Sequence, residues 1–271
     1  MQKHKIKAVI SDLDGTLLNA HHMLSDYSKS VVKRLTEEGI HFMIATGRHH
    51  LDASRIKEKL GVDAYLITAN GATVANKEGE LIYQAILPRE IVEDILSIDV
   101  KEGVFKNLYQ GEHWLMEESD KVFDQYYQEG DFQYTLCTFS DYLDKPINKV
   151  FFTAFDHNNL IAIAEQVKRK YGDAIAVTFS MPECLEIMPK GVNKGVAILE
   201  TIKLFDLCPE DVIAFGDGLN DLEMLQVVVK GYLMGNAHRL LIEQLPELEI
   251  IGHHSDDAVA RELVKLFELE V

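Results

Sequence analysis

The chain has 271 residues, 47% of them apolar and 26% charged, which suits a folded globular protein and excludes a disordered, collagenous or disulfide-rich one. Its 27 basic and 44 acidic residues leave a net charge of −17, a surface that repels nucleic acid and anionic lipid. No apolar run approaches the ~18 residues of a membrane span, so at ~100–200 residues per domain one or two non-membrane domains are expected. Residues 5–11 form an apolar run that stops at Asp12, which is a buried strand and too short for a signal peptide. Ser25 is a helix N-cap, with Gly39 as the stop of that helix. Residues 40–45 make a second strand ending in Thr46-Gly47-Arg48, a helix runs to Leu60, and residues 64–68 make a third strand. This βαβαβ order predicts a parallel sheet covered by helices on both faces. The middle of the chain reads differently. A hairpin is predicted around residues 77–79, then a helix from Pro88 and strands over 104–109, 113–116, 147–155 and 174–180, with helices near 120–128 and 158–171. From Val192 the alternation returns: a helix, a strand at 211–215, the loop Gly216-Asp217-Gly218-Leu219-Asn220-Asp221, then helices alternating with strands at 231–234 and 248–251, and a last helix from Ser255. The expected fold is α/β: a Rossmann-like parallel-sheet core from residues 1–83 and 187–271, with an α+β cap inserted at 84–186.

In open α/β sheets ligands bind at the carboxyl ends of the strands. Three such ends carry Asp12-Leu13-Asp14-Gly15-Thr16, Thr46-Gly47-Arg48 and the 216–221 loop. Singly, an Asp-Gly pair is more often a plain turn. Gathered together, Asp12, Asp14 and Asp217 would repel one another, and a hard divalent ion such as Mg²⁺ would relieve that repulsion. Two decoys fail. A calcium loop needs glycine at its sixth position and glutamate at its twelfth, whereas here the glycine is fourth and the twelfth residue is Met23. The 216–221 loop has Asp221 where a dinucleotide fingerprint has its third glycine. Thr46 and Gly47, just before a helix, suit a phosphate oxygen. Lys194, taken alone, is an ordinary surface lysine. The cysteines Cys137, Cys184 and Cys208 are too scattered for a disulfide framework or a metal motif, and a reducing cytoplasm is expected. Nothing suggests an obligate interface, so a monomer is expected.

The residues resemble a known family. Asp12-Leu13-Asp14-Gly15-Thr16-Leu17-Leu18, Ala45-Thr46-Gly47-Arg48, Lys194 and Gly216–Asp221 are similar, in order, to the four motifs of haloacid-dehalogenase-like phosphatases. The long insert resembles the type IIB cap of the Cof-type subfamily. A closer similarity, to enterobacterial pyridoxal phosphate phosphatases, rests on Ala45-Thr46-Gly47-Arg48-His49-His50, Cys184-Leu185-Glu186-Ile187, Ile213–Gly218 and Pro246-Glu247-Leu248-Glu249. The resemblance implies Mg²⁺-dependent hydrolysis of a small phosphorylated metabolite, pyridoxal 5′-phosphate or a sugar phosphate. Asp12 would be the nucleophile and Asp14 the general acid and base. The Asp12 carboxylate, the Asp14 carbonyl and Asp217 would hold the metal, backed by Asp221. The Leu13 backbone, Thr46, Gly47, Lys194 and Asn220 would bind phosphate. An acid at Asp14 sets a phosphatase apart from a dehalogenase, which protonates no leaving group. Arg48 and His49 could face the substrate. In the cap, Tyr109, Trp114, Tyr126 and Tyr127 could stack on a pyridine ring, although aromatics mostly serve packing. The adjacent pairs His49-His50 and His253-His254 point in different directions on a helix and are read as solvated. A phosphotransferase or sugar phosphomutase on the same fold, or a non-catalytic binding protein, are the alternatives.

Overall fold

The computed structural model describes residues 6–111, 113–119 and 133–270. Two compact units divide the chain: one from the described parts of Met1–Ile82 and Asn193–Val271, the other from Tyr83–Val192.

The first unit is built on an eight-stranded sheet. In chain order its strands are β1 (Ala8–Ser11), β2 (His41–Ala45), β3 (Ala64–Thr68), β4 (Thr73–Ala75), β5 (Leu81–Gln84), β12 (Val212–Gly216), β13 (Lys230–Leu233) and β14 (Glu249–Ile250). In space they run β14-β13-β12-β1-β2-β3-β4-β5. Pairing is parallel from β14 through β3 and turns antiparallel at β4. Strand β1 is therefore central, with Ile10 opposite Ala214 on one side and Met43 on the other.

The short strands show why helices lie on both faces. Successive side chains point to opposite sides of a strand. Val9, Phe42, Ile44, Ile213 and Phe215 pack with α1 (Asp26–Glu37), α2 (His50–Leu60) and α8 (Ala258–Phe267). Their neighbours Ala8, Ile10, Met43 and Ala214 pack instead with α5 (Lys194–Lys203), α6 (Leu222–Val227) and α7 (Arg239–Gln244). Local signals start the helices as expected. Ser25 Oγ accepts from the Ser28 amide at 2.9 Å, and Val31, Val32 and Leu35 then fall on one buried face.

The second unit is a six-stranded sheet in the order β10-β11-β9-β6-β7-β8. Its strands are β6 (Val104–Gln110), β7 (His113–Met116), β8 (Thr135–Leu136), β9 (Lys149–Ala154), β10 (Ile175–Met181) and β11 (Cys184–Pro189). Helices α3 (Arg89–Leu96) and α4 (His157–Tyr171) supply Val92, Ile95, Leu160 and Val167 to a core with Leu108, Val150, Phe152, Leu185 and Ile187.

The sequence reading missed β11. Glu186 interrupts its apolar pattern, yet is only 2% exposed, because Lys149 Nζ on β9 donates to it at 2.8 Å. Tyr109 and Trp114 are both buried and pack with Phe151, and the Trp114 indole donates to Asn107 at 2.8 Å. These contacts fit a packing role. The helix expected near 120–128, with Tyr126 and Tyr127, lies outside the described residues.

Candidate active site

The carboxyl ends of β1, β2, β3, β12 and β13 bring the polar residues of the first unit together. Asp12 follows β1 directly, and its amide donates to Phe215 O on β12 at 3.1 Å. The chain then winds tightly through Leu13–Leu17, with Gly15 in the left-handed region at φ +72°. A Cβ on Gly15 would lie 2.3 Å from Asp217 Oδ2. Only glycine lets this loop approach Asp217 so closely.

Lys194 opens α5 behind the N-cap Asn193, whose side chain accepts from Val196 N at 2.8 Å. Far from being a surface lysine, it is fully buried. Its Nζ donates to Asp12 Oδ1 at 2.8 Å and to Asp221 Oδ1 at 2.6 Å. The other Asp221 oxygen accepts the amides of Asp217 and Gly218, each at 2.9 Å. Asp221 is thus fully engaged, which suits a supporting role. The Thr16 hydroxyl donates to Asp217 Oδ1 at 3.0 Å.

These contacts set the electrostatics. Burial pushes the Asp12 carboxyl well above its ordinary range, Lys194 opposes this, and Asp221, Asp217 and Asp14 push it further up. Asp217 is pushed up to about 7 by burial and then by Asp221, against the Thr16 hydrogen bond and Lys194. Burial alone would lower Lys194, but Asp12 and Asp221 hold it above the usual lysine range. Carboxylate oxygens of Asp12, Asp217 and Asp221 lie within 4.8 Å of one another. When ionised, the three exceed the lysine by two negative charges. A divalent cation with a preference for oxygen donors, such as Mg²⁺, offsets that excess, so the donor set fits such an ion.

Asp14 faces a different environment. Arg48 grips it with both arms of its fork, Nε to Oδ2 at 2.7 Å and Nη2 to Oδ1 at 2.6 Å. His22 Nδ1 lies 3.0 Å from Oδ1. Burial would raise the Asp14 carboxyl, but the hydrogen bonds from Arg48 and His22 outweigh it and hold it below the usual carboxylate range. Arg48 also donates to Asp52 at 2.7 Å.

The remaining expected residues fall nearby. Thr46 is buried, and its Oγ1 accepts from Arg48 N at 3.2 Å, with Gly47 between them. The Asn220 amide donates to Asn70 Oδ1 at 2.9 Å. Leu13 is wholly buried. His49 Nδ1 accepts from Leu51 N at 3.3 Å and so caps α2. Sequence reasoning missed Asn70, after β3, and Asn236, after β13. The rule that sites form at carboxyl strand ends, applied to every parallel strand instead of three, finds both.

Comparison with known proteins adds a family. Residues 9–263 match the haloacid dehalogenase-like hydrolases. A Buchnera aphidicola protein, provisionally named a phosphatase, is 36% identical over 260 residues, covering 96% of this chain and 97% of its own length. An HMP-PP phosphatase of Yersinia pestis is 34% identical over 252 residues, 93% of this chain and 92% of its own. The solved structure of a haloacid dehalogenase-like hydrolase from Bacteroides thetaiotaomicron superposes with a TM-score of 0.84 at 26% identity, over 97% of this chain and all of that one. A subclass IIB sugar phosphatase shares the fold, with a TM-score of 0.81 at 22% identity, over 97% of this chain and 99% of its own.

Proposed function

We propose, because this chain belongs to the haloacid dehalogenase-like hydrolase family and is a Cof-type phosphatase within it, that it hydrolyses small phosphate monoesters through a phosphoryl group carried on Asp12, with Mg²⁺ as cofactor. One observation carries the reading. A buried lysine serves two carboxylates beside a third, at the carboxyl ends of parallel strands.

An Asp12 oxygen forms a bond to phosphorus as the ester P–O bond breaks. One hard displacement thereby becomes two easier ones. Asp14 protonates the departing alkoxide, then takes a proton from the water that releases phosphate from Asp12. Such acid–base help typically contributes about 10²–10⁴ in rate. Asp14 must first exchange Arg48 for the ester oxygen. Once the fork opens, burial favours the protonated acid that this step needs. Lys194, Thr46, Gly47, Asn220 and the Leu13 backbone bind the phosphoryl oxygens, where charge spreads during transfer. Mg²⁺, held by the Asp12 and Asp217 carboxylates and the Asp14 carbonyl with Asp221 behind them, would neutralise part of that charge.

Pyridoxal 5′-phosphate heads the substrates, followed by sugar phosphates. The similarity of Cys184-Leu185-Glu186-Ile187 and its companion motifs supports the first, and the kinship of fold with a sugar phosphatase supports the second. Residues 84–186 act as the specificity cap.

The test is phosphate release with Mg²⁺ from pyridoxal 5′-phosphate, sugar phosphates and nucleotides. Wild type should turn over pyridoxal 5′-phosphate fastest. Asp12→Asn should lose on the order of a thousandfold or more, as removal of a nucleophile does, and EDTA should silence the enzyme. Preference for a sugar phosphate would leave the chemistry standing and remove the pyridoxal assignment. No release from any ester would remove both.

A further inference from the structure

Asn236 and His254 have no part in the chemistry above, yet they touch it. Asn236 lies just past β13, and its side chain joins three segments. Its Nδ2 donates to Gly15 O at 2.8 Å and reaches Asp217 Oδ2 at 3.3 Å, while its Oδ1 accepts from His254 N at 3.1 Å. The His254 ring continues the tie, since its Nδ1 donates to Leu18 O at 2.8 Å, on the far side of the same loop. Behind them Gly235 N donates to Gly252 O at 2.9 Å, which docks the second turn against the first.

The arrangement leaves Asp217 little freedom. One of its oxygens accepts from Thr16, which belongs to the nucleophile loop, and the other faces Asn236. Its backbone carbonyl accepts from His238 N at 2.8 Å. Gly15 stands as near to the Asp217 carboxylate as a backbone without Cβ allows. Carboxylates crowded this way repel one another, and a loop carrying one of them relaxes outward unless something ties it down. Asn236 supplies that tie. As a neutral amide, it donates to both the loop and Asp217 without adding negative charge to an already acidic cluster.

We propose that Asn236 is a positioning residue for the cation: it holds the Gly15 loop and the Asp217 carboxylate at the separation at which Asp12, the Asp14 carbonyl and Asp217 grasp one divalent ion, with His254 bracing it from behind. The proposal rests on the Mg²⁺ reading above. Without Asn236 the ion must first reassemble its donors, which weakens binding. Loss of an outer-shell partner typically costs about 10–100-fold in metal affinity.

The experiment is Mg²⁺ titration of the full chain without substrate, by isothermal calorimetry and by the Mg²⁺-induced rise in melting temperature. The variants are Asn236→Ala and Asp217→Asn, beside wild type. Asn236→Ala should bind Mg²⁺ on the order of tenfold or more weakly. Its melting temperature in EDTA should stay close to wild type, and at saturating Mg²⁺ its KM for a phosphate ester should change far less than its Mg²⁺ affinity. Wild-type Mg²⁺ affinity in Asn236→Ala overturns the proposal and leaves the cation reading intact. No Mg²⁺ binding by wild type, with Asp217→Asn behaving identically, overturns the cation reading itself. If Asn236→Ala does not fold, Asn236→Ser takes its place. Failure of both to fold overturns the proposal, because Asn236 is then a support of the fold instead of the ion.

Discussion

At the scale of single residues, the site stores charge that the folded chain alone does not balance. Asp217 titrates at about 7 in the folded chain, against about 3.9 for an unperturbed aspartate. A carboxyl that holds its proton more tightly when folded stabilises the fold at low pH, and that contribution is lost as pH rises through the folded value. In EDTA, lowering the pH from 8 to 6 should therefore raise the melting temperature of wild type relative to Asp217→Asn, by roughly 3–5 °C over the two units together, with most of the rise below pH 7. Saturating Mg²⁺ should abolish the difference in slope, because the ion favours the ionised form. Melting curves across pH with and without Mg²⁺ check this. Lys194 shows what the sequence could and could not say about such residues. Nothing around it distinguishes it from a surface lysine, and only its place in an ordered set of motifs marked it. Its burial comes from α5 beginning where β1 and the loop after β12 end, a fact of topology. Asn236 belongs to no such set, and the only sequence signal that marks it is its place just past the strand at 231–234, where the strand-end rule was not applied.

At the scale of elements, the helix that carries Lys194 depends on its neighbour. A Cβ on Gly195 would lie 2.7 Å from Glu223 O in α6. Gly195→Ala should push α5 away from α6, cost about 1–3 kcal/mol as overpacking does, and move Lys194 from its two carboxylates. Denaturant unfolding and phosphate release should fall together, and a variant with wild-type stability and activity would refute this close packing. Most elements of the first unit were legible because each carries a local signal: a cap at Ser25, a stop at Gly61 in the left-handed region at φ +72°, an apolar run between. In the second unit β11 was not legible. Its buried Glu186 is satisfied by Lys149, 37 positions earlier, together with the Ser180 hydroxyl, and a window of neighbouring residues contains no trace of the lysine that balances its charge.

At the scale of the whole molecule, a net charge of −17 opposes an anionic substrate from a distance. With Mg²⁺ saturating, kcat/KM for a phosphate ester should rise a few-fold as KCl screens that field, about 10 Å being the screening length at 0.1 M. A fall would mean that local attraction dominates the approach. The order of the strands has a further consequence, in time instead of space. Strand β1 pairs directly with β12, Ala8 opposite Val212, so the central strand waits for a partner some 200 residues downstream. A nascent chain that has emerged through Val192 already carries Asp12, Asp14 and Thr46 but neither Lys194 nor Asp217. One edge of β1 is still bare, and Asp12, the proposed nucleophile, lacks the lysine that pairs with it. Contacts this distant in sequence form late and slowly. On the proposed chemistry the carboxylate of Asp12 is thus made first and armed last, and a chain cut short before Lys194 should release no phosphate from an ester that the full chain hydrolyses.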